Sequence, residues 1–288
     1  MKVLYARPLI EEKLPSLKAQ VAKLTQAGLR PKMNVILVGN NPASLIYVEN
    51  KKRFCHEVGA DFELTHLDAQ IEADEFLKII DKANSDSTIT GLFVQLPVPE
   101  HLRHIDTTTL INPIKDVDAF GPESIVDLYK GKTDGLLPCT PKGIISLLKY
   151  YQIPFAGKNI VIIGRSQIVG KPMFHLLNNY NATVTLCHSK TQNLREHTKR
   201  ADIIISATGQ AKFIDESFIA PTKNQVLIDV GINHDNEQKL CGDCDFDKVA
   251  TKLAAITPVP HGVGPMTVFS LIENLIDATH KQISQRKS

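Results

Sequence analysis

From residue 31 onward the chain alternates apolar runs of strand length with stretches of helical period, and this alternation constrains the fold more than any other feature. The strand candidates are Val35–Val38, Phe62–Leu67, Thr90–Leu96, Asn159–Ile163, Ala182–Cys187, Asp202–Ala207 and Gln225–Val230. Helical patterns fall between them at Ala43–Val58, Asp74–Asn84, Pro141–Tyr151, Val169–Asn179 and Asn193–Arg200, and a last one covers Pro265–Lys281. Continuous apolar strands alternating with helices predict an α/β protein whose parallel sheets are covered on both faces. At 288 residues the chain sits at the upper limit of one hydrophobic core, so two α/β domains sharing a cleft are expected. The prolines at Pro138 and Pro141 mark the boundary. Residues 1–139 are read as one domain, 140–264 as the second, and 265–288 as a C-terminal helix folding back across the first.

Composition narrows the function classes. Lys and Arg total 33 against 31 Asp and Glu, a formal charge of +2, so no basic surplus exists to neutralise a nucleic-acid backbone. No apolar run approaches the roughly 18 residues of a membrane span. The N-terminal segment is broken by Arg7 and Pro8 and followed by Glu11, Glu12 and Lys13, unlike a signal peptide. Five cysteines, at 55, 139, 187, 241 and 244, are an odd and scattered set, which predicts a reducing cytoplasmic setting.

Ile160-Val-Ile-Ile-Gly164 reads as a buried strand entering a glycine turn, and Arg165 to Gly170 leads into a helix. Strand, glycine turn and helix are the context of a dinucleotide loop, whose helix N-terminus points N–H groups at the pyrophosphate. The spacing departs from the usual fingerprint. Ser166 stands at the second glycine position, and the last glycine comes one residue late. NAD sites carry an acid about 20 residues further on, for the ribose 2′-hydroxyl. Here the next strand ends in His188-Ser189-Lys190-Thr191 with no carboxylate. With Arg165 nearby, that ending suits a 2′-phosphate and predicts NADP.

In the first half, Asn41-Pro-Ala-Ser44 reads as a helix start, and Tyr47 and Lys51 stand four apart on one helix face. Gln95 ends a buried strand just before Pro97, where open α/β sheets bind ligands. Lys115-Asp-Val-Asp118 offers two carboxylates in a loop. Taken with Val94-Gln-Leu-Pro97, Pro138-Cys-Thr-Pro141, Gly164-Arg-Ser166, Asp229-Val-Gly-Ile-Asn233 and Gly262-Val-Gly-Pro-Met-Thr267, the set resembles the bifunctional methylenetetrahydrofolate dehydrogenase/cyclohydrolase family, FolD, over nearly the whole chain.

The resemblance implies a homodimer assembled through an NADP-binding Rossmann domain. It implies oxidation of 5,10-methylenetetrahydrofolate to the methenyl form and hydrolysis to 10-formyltetrahydrofolate. Lys51 matches the family's catalytic lysine, with Gln95 orienting its amine and Tyr47 positioning the folate. Asp118 would accept hydrogen bonds from the pterin. Gly264 and Pro265 would present backbone groups to the substrate. Arg165, Ser166 and Ser189 would clamp the 2′-phosphate, and Ile232 and Thr267 would lie on the nicotinamide side.

Two positions leave the family pattern: His261 and Ala119 stand where glycine is usual. An L-residue tolerates φ > 0 at a cost that glycine avoids, so both bear on substrate affinity or on the balance of the two activities. Loop side chains habitually face solvent, and the His261 ring is read that way. Cys241-Gly-Asp-Cys244 lacks a second ligand pair or a thioredoxin-like context, so it is read as coincidental and no metal is predicted. The rivals are an NADP-linked dehydrogenase of another substrate class, a dehydrogenase-only relative, and a non-catalytic folate/NADP binder.

Overall fold

The computed structural model describes residues 1–222 and 224–287, so Ser288, the last residue of the expected C-terminal segment, lies outside the described residues. In chain order the elements are β1 (Lys2–Val3), α1 (Arg7–Gln26), β2 (Lys32–Val38), α2 (Pro42–Val58), β3 (Asp61–Leu67), α3 (Ala73–Ser85), β4 (Gly91–Val94), α4 (Pro122–Tyr129) and α5 (Cys139–Tyr150). There follow β5 (Asn159–Ile163), α6 (Gly170–Asn179), β6 (Thr183–Cys187), α7 (Leu194–Arg200), β7 (Ile203–Ser206) and β8 (Val226–Asp229). The chain ends with β9 (Asn233–His234), β10 (Leu240–Cys241), α8 (Phe246–Val249), β11 (Ala255–Ile256) and α9 (Val263–Lys287).

Two compact units result, and they are not the sequential segments read from the sequence. The first gathers Met1–Glu11, Asp127–Thr133 and Pro138–Thr267. Its parallel sheet has the order β1-β11-β8-β7-β5-β6. The N-terminus joins it because β1 pairs with β11, Lys2 opposite Ala255. A two-residue strand has no periodicity to read, and its partner lies some 250 residues away. Strands β7 and β8 are buried throughout, as is β5 from Ile160 onward, which accounts for their unbroken Ile, Val and Leu runs. The chain leaves β5 for β6 on one side and returns to β7 on the other, so strand order reverses between β5 and β7. Helix α5 begins at Cys139, placing Pro141 in the first turn, where its missing N–H costs nothing. Gly143 is required there, since a Cβ would stand 2.9 Å from the Met266 carbonyl oxygen.

The second unit gathers Glu12–Val126, Asp134–Leu137 and the chain from Val268. Its three parallel strands run β3-β2-β4. Phe76, Ile80 and Ala83, spaced four and three along α3, pack on Ile36, Val38, Leu92 and Val94. The reading from the sequence overlooked α1, whose buried Leu17, Val21 and Leu24 also repeat at four and three, because Pro15 and the charges at Glu11, Glu12 and Lys13 interrupt the pattern. Polar side chains tie α9 to this unit. Asn274 Nδ2 donates to the Val117 and Leu137 carbonyls, both at 2.8 Å. Gln282 Nε2 donates to the Thr90 carbonyl at 2.8 Å.

Candidate active site

In the second unit the site starts from the cap of α2. The Asn41 side chain accepts from the Ser44 N–H at 3.1 Å and Pro42 opens the helix, which fixes its start. Tyr47, Lys51 and Cys55 follow at intervals of four on one face. Lys51 is only 8% exposed. Its Nζ donates to Gln95 Oε1 at 2.8 Å and lies 4.2 Å from the centre of the Phe93 ring. Gln95 is itself held, its backbone N–H on the Ile36 carbonyl and its Nε2 on the Leu96 carbonyl. Tyr47 is half-buried, and burial raises the pKa of its phenol. Burial pushes the Cys55 thiol up to about 12 despite the neighbouring Lys51 charge, so Cys55 is no nucleophile at neutral pH.

The Lys115–Asp118 segment lies alongside β4, with the Leu92 N–H on the Lys115 carbonyl at 2.8 Å. Its two carboxylates differ in burial, a difference invisible in the sequence. Asp116 is buried and accepts from the Ala119 N–H at 3.0 Å and the Gly121 N–H at 2.7 Å. Burial, with Asp118 adding repulsion, pushes its pKa up to about 6 against those two hydrogen bonds. Lys115 is buried too. Its Nζ donates to the Ala83, Asn84 and Asp86 carbonyls, closing the C-terminal end of α3. Lys115 and Asp116 therefore build the loop, and Asp118 is half-buried. Ala119 stands at φ 60 and is fully buried.

In the first unit, Gly164 has φ 120, and a Cβ there would run into the Ala207 carbonyl at the reversal point of the sheet. The late glycine also has its reason, because a Cβ on Gly170 would overlap the Gly164 carbonyl. Ser166 replaces the expected glycine by bonding. Its Oγ accepts from the Val169 N–H at 3.1 Å and the Gly170 N–H at 3.5 Å, capping α6. This leaves its hydroxyl hydrogen as the group it can offer a ligand. After β6, the His188 N–H meets Thr191 Oγ1 and the Lys190 N–H meets His188 Nδ1, a tight turn with Ser189 and Lys190 exposed. Arg165 and Ser189 are exposed, and their side chains have no protein partner among the described residues. This donor set, Arg165, the Ser166 hydroxyl, Ser189 and Lys190 with no carboxylate after β6, fits a dinucleotide bearing a 2′-phosphate.

At the same sheet edge Ile232 is 46% exposed. A Cβ on Gly264 would lie 3.7 Å from Ile232 Cδ1, so these two residues are neighbours. Pro265 follows in the first turn of α9, and Thr267 Oγ1 lies 3.0 Å from Thr140 Oγ1. His261 is exposed at φ 85. Cys241 and Cys244 are free, and burial raises both thiol pKa values, the opposite of a redox-poised pair. Among the described residues no group of three or more His, Cys, Asp or Glu is placed to hold a metal ion. No helix among them is long and apolar enough to cross a membrane.

A glycine turn at the reversal point of a doubly wound sheet, followed by a strand that ends without an acid, defines a dinucleotide-binding α/β protein. Comparison with known proteins makes this particular. The model of the tetrahydrofolate dehydrogenase/cyclohydrolase catalytic domain matches residues 4–118, and that of the same family's NAD(P)-binding domain matches 138–283. The bifunctional protein FolD of Ligilactobacillus salivarius is 45% identical over 282 residues, 98% of each chain. The crystal structure of FolD from Campylobacter jejuni matches with a TM-score of 0.94 at 40% identity, over 98% of this chain and 99% of that one. FolD from Trypanosoma brucei, complexed with NADP cofactor and inhibitor, matches at 0.91 and 30% identity over 97% of each. The chain belongs to the tetrahydrofolate dehydrogenase/cyclohydrolase family.

Proposed function

We propose that this chain oxidises 5,10-methylenetetrahydrofolate to 5,10-methenyltetrahydrofolate with NADP⁺ and then hydrolyses the product to 10-formyltetrahydrofolate. The observation that carries the reading is the bond from Lys51 Nζ to Gln95 Oε1, made by a buried lysine over an aromatic ring. Bound NADP⁺ supplies the hydride acceptor. The folate nitrogen lone pair stabilises the cation left behind, so the first step asks the protein for orientation and not for a base.

The second step needs a proton acceptor, since water must add to the methenyl carbon and the ring must open. Lys51 is assigned that role. A neutral amine donating one N–H to Gln95 keeps its lone pair for the proton of the attacking water. Burial and a cationic substrate both favour that neutral form. Once the proton is taken, the face of Phe93 steadies the ammonium. Tyr47 positions the folate, Asp118 accepts from the pterin N–H groups, and Gly264 and Pro265 offer backbone groups. Arg165 and Ser189, with the Ser166 hydroxyl, hold the 2′-phosphate, and Ile232 and Thr267 lie on the nicotinamide side. The folate chemistry is placed with the unit carrying Lys51, and the cofactor with the unit carrying Gly164.

The reading includes a cytoplasmic homodimer that engages neither nucleic acid nor membrane. The five cysteines, none of them in a disulfide, support the cytoplasmic setting, and the +2 charge supports the absence of a nucleic-acid partner. Light scattering on the purified protein tests the dimer. The activity is tested by the absorbance of methenyl-folate formed from methylenetetrahydrofolate and NADP⁺. Formation followed by decay is the expected result. Formation alone would mean a dehydrogenase only, and no formation a binder. Lys51→Met should abolish the decay while folate binding persists, and full hydrolysis by that variant would remove Lys51 from the mechanism.

A further inference from the structure

The carboxyl edge of the six-stranded sheet conceals two buried carboxylates that the chemistry above does not use. Asp243, fully buried, accepts four hydrogen bonds, two on each oxygen. Its Oδ2 takes Ser206 Oγ at 3.0 Å and the Thr208 N–H at 2.6 Å. Its Oδ1 takes the Gln210 N–H at 3.1 Å and Asn233 Nδ2 at 2.9 Å. The loops after β7 and β8 thus hang from one side chain. Asp229, at the end of β8, seats that side chain in turn, accepting the Asp243 N–H and the Gly231 N–H on Oδ1 and the Cys244 N–H on Oδ2.

The packing leaves no slack. A Cβ on Gly231 would overlap the Asp243 carboxylate, and one on Gly242 would overlap that of Asp229. Among the described residues no lysine or arginine is a hydrogen-bond partner of either acid. Burying such charges is costly, and only their full set of hydrogen bonds compensates it. In register Ile163 lies opposite Ser206 and Ser206 opposite Asp229, so the glycine turn and the two tied loops lie side by side along one edge. The loops at Gly164–Ser166 and His188–Thr191 make no hydrogen bond to either acid.

We infer that Asp243, seated on Asp229, is a positioning residue for the nicotinamide half of the dinucleotide site and has no part in holding the 2′-phosphate half. This rests on the reading above, in which the dinucleotide crosses this edge with its nicotinamide at Ile232. An amide at position 243 would still accept on its oxygen, but its NH₂ would face donors on the other side. The loops carrying Thr208-Gly209 and Gly231-Ile232 would then shift while the phosphate clamp stays.

The test is calorimetric binding of two ligands, NADP⁺ and 2′-phospho-ADP-ribose, which lacks the nicotinamide. Asp243→Asn should weaken NADP⁺ roughly ten- to hundred-fold and leave the fragment within about twofold. Asn233→Ala, which removes one donor from outside the core, should act in the same direction by about three- to tenfold, and it carries the test if Asp243→Asn does not fold. Equal weakening of both ligands in a folded variant, or no weakening of NADP⁺, would overturn the inference while leaving the cofactor reading intact. Wild-type protein that binds neither ligand would overturn the cofactor reading and this inference with it.

Discussion

Replacing the two off-pattern residues by glycine should stabilise the protein at one position and not at the other, because burial separates them. Ala119 and His261 both hold positive φ, at 60 and 85. Relieving that conformation is worth on the order of 1–2 kcal/mol for an L-residue. Glycine gives back about 0.5–1 kcal/mol through the freedom it adds to the unfolded chain. For His261, exposed at the surface, the ledger ends there, and His261→Gly should stabilise by about 0.5–1 kcal/mol. For Ala119, fully buried, the lost methyl costs a further ~1 kcal/mol, and Ala119→Gly should be neutral or destabilising by about 0.5 kcal/mol. At roughly 2–4 °C per kcal/mol, thermal unfolding resolves the contrast: His261→Gly rises by about 1–4 °C, and Ala119→Gly stays level or falls. If Ala119→Gly stabilised as much as His261→Gly, backbone strain would outweigh the buried methyl and the reasoning would be wrong.

Other outcomes follow from the same structure. Arg165→Ala should reduce kcat/KM for NADP⁺ by about ten- to hundred-fold and leave that for NAD⁺ nearly unchanged, and an unaltered preference would contradict the 2′-phosphate assignment. Asp116 and Asp229 are both pushed up to about 6 by burial, above the ordinary 3.8, so their folded forms hold protons that the unfolded chain has already released. That contribution to stability is complete below pH 3.8 and is lost as pH rises through 6. Between pH 5 and 7.5 each acid should cost about 1.4 kcal/mol, and carboxyl NMR showing both groups titrating below 4 would refute this. Lys115→Met strips three carbonyls of their donor and should destabilise the protein by about 2–4 kcal/mol in denaturant unfolding, where a change below 0.5 kcal/mol would show that the carbonyls find other donors.

Much of the architecture was legible because it rests on local period. The seven strand candidates all appear as strands; β4, β5, β7 and β8 do so as buried apolar runs, and the edge strands β3 and β6 as half-exposed ones. The 188–191 ending announced a cofactor choice through its missing carboxylate, with Arg165 nearby. Non-local pairing was not legible. Nothing within Lys2-Val3 names Ala255-Ile256 as its partner, and nothing in Lys115-Asp-Val-Asp118 says that Asp116 is the acid that ties the loop. The bond from the Val169 N–H to Ser166 Oγ, which gives a serine a place at the usual second glycine, is likewise invisible in the order of residues.

Residue order alone determined the α/β class, the glycine turn and the four-residue spacing of Tyr47 and Lys51, because each depends on neighbours within one strand or one helical turn. Tertiary structure decided which polar groups were left for a ligand, because a carboxylate or an amine is available only after the fold has used the donors and acceptors it needs. Asp229, Asp243, Asp116 and Lys115 are consumed in that way, each satisfied by backbone or side-chain groups that only the folded chain brings within reach.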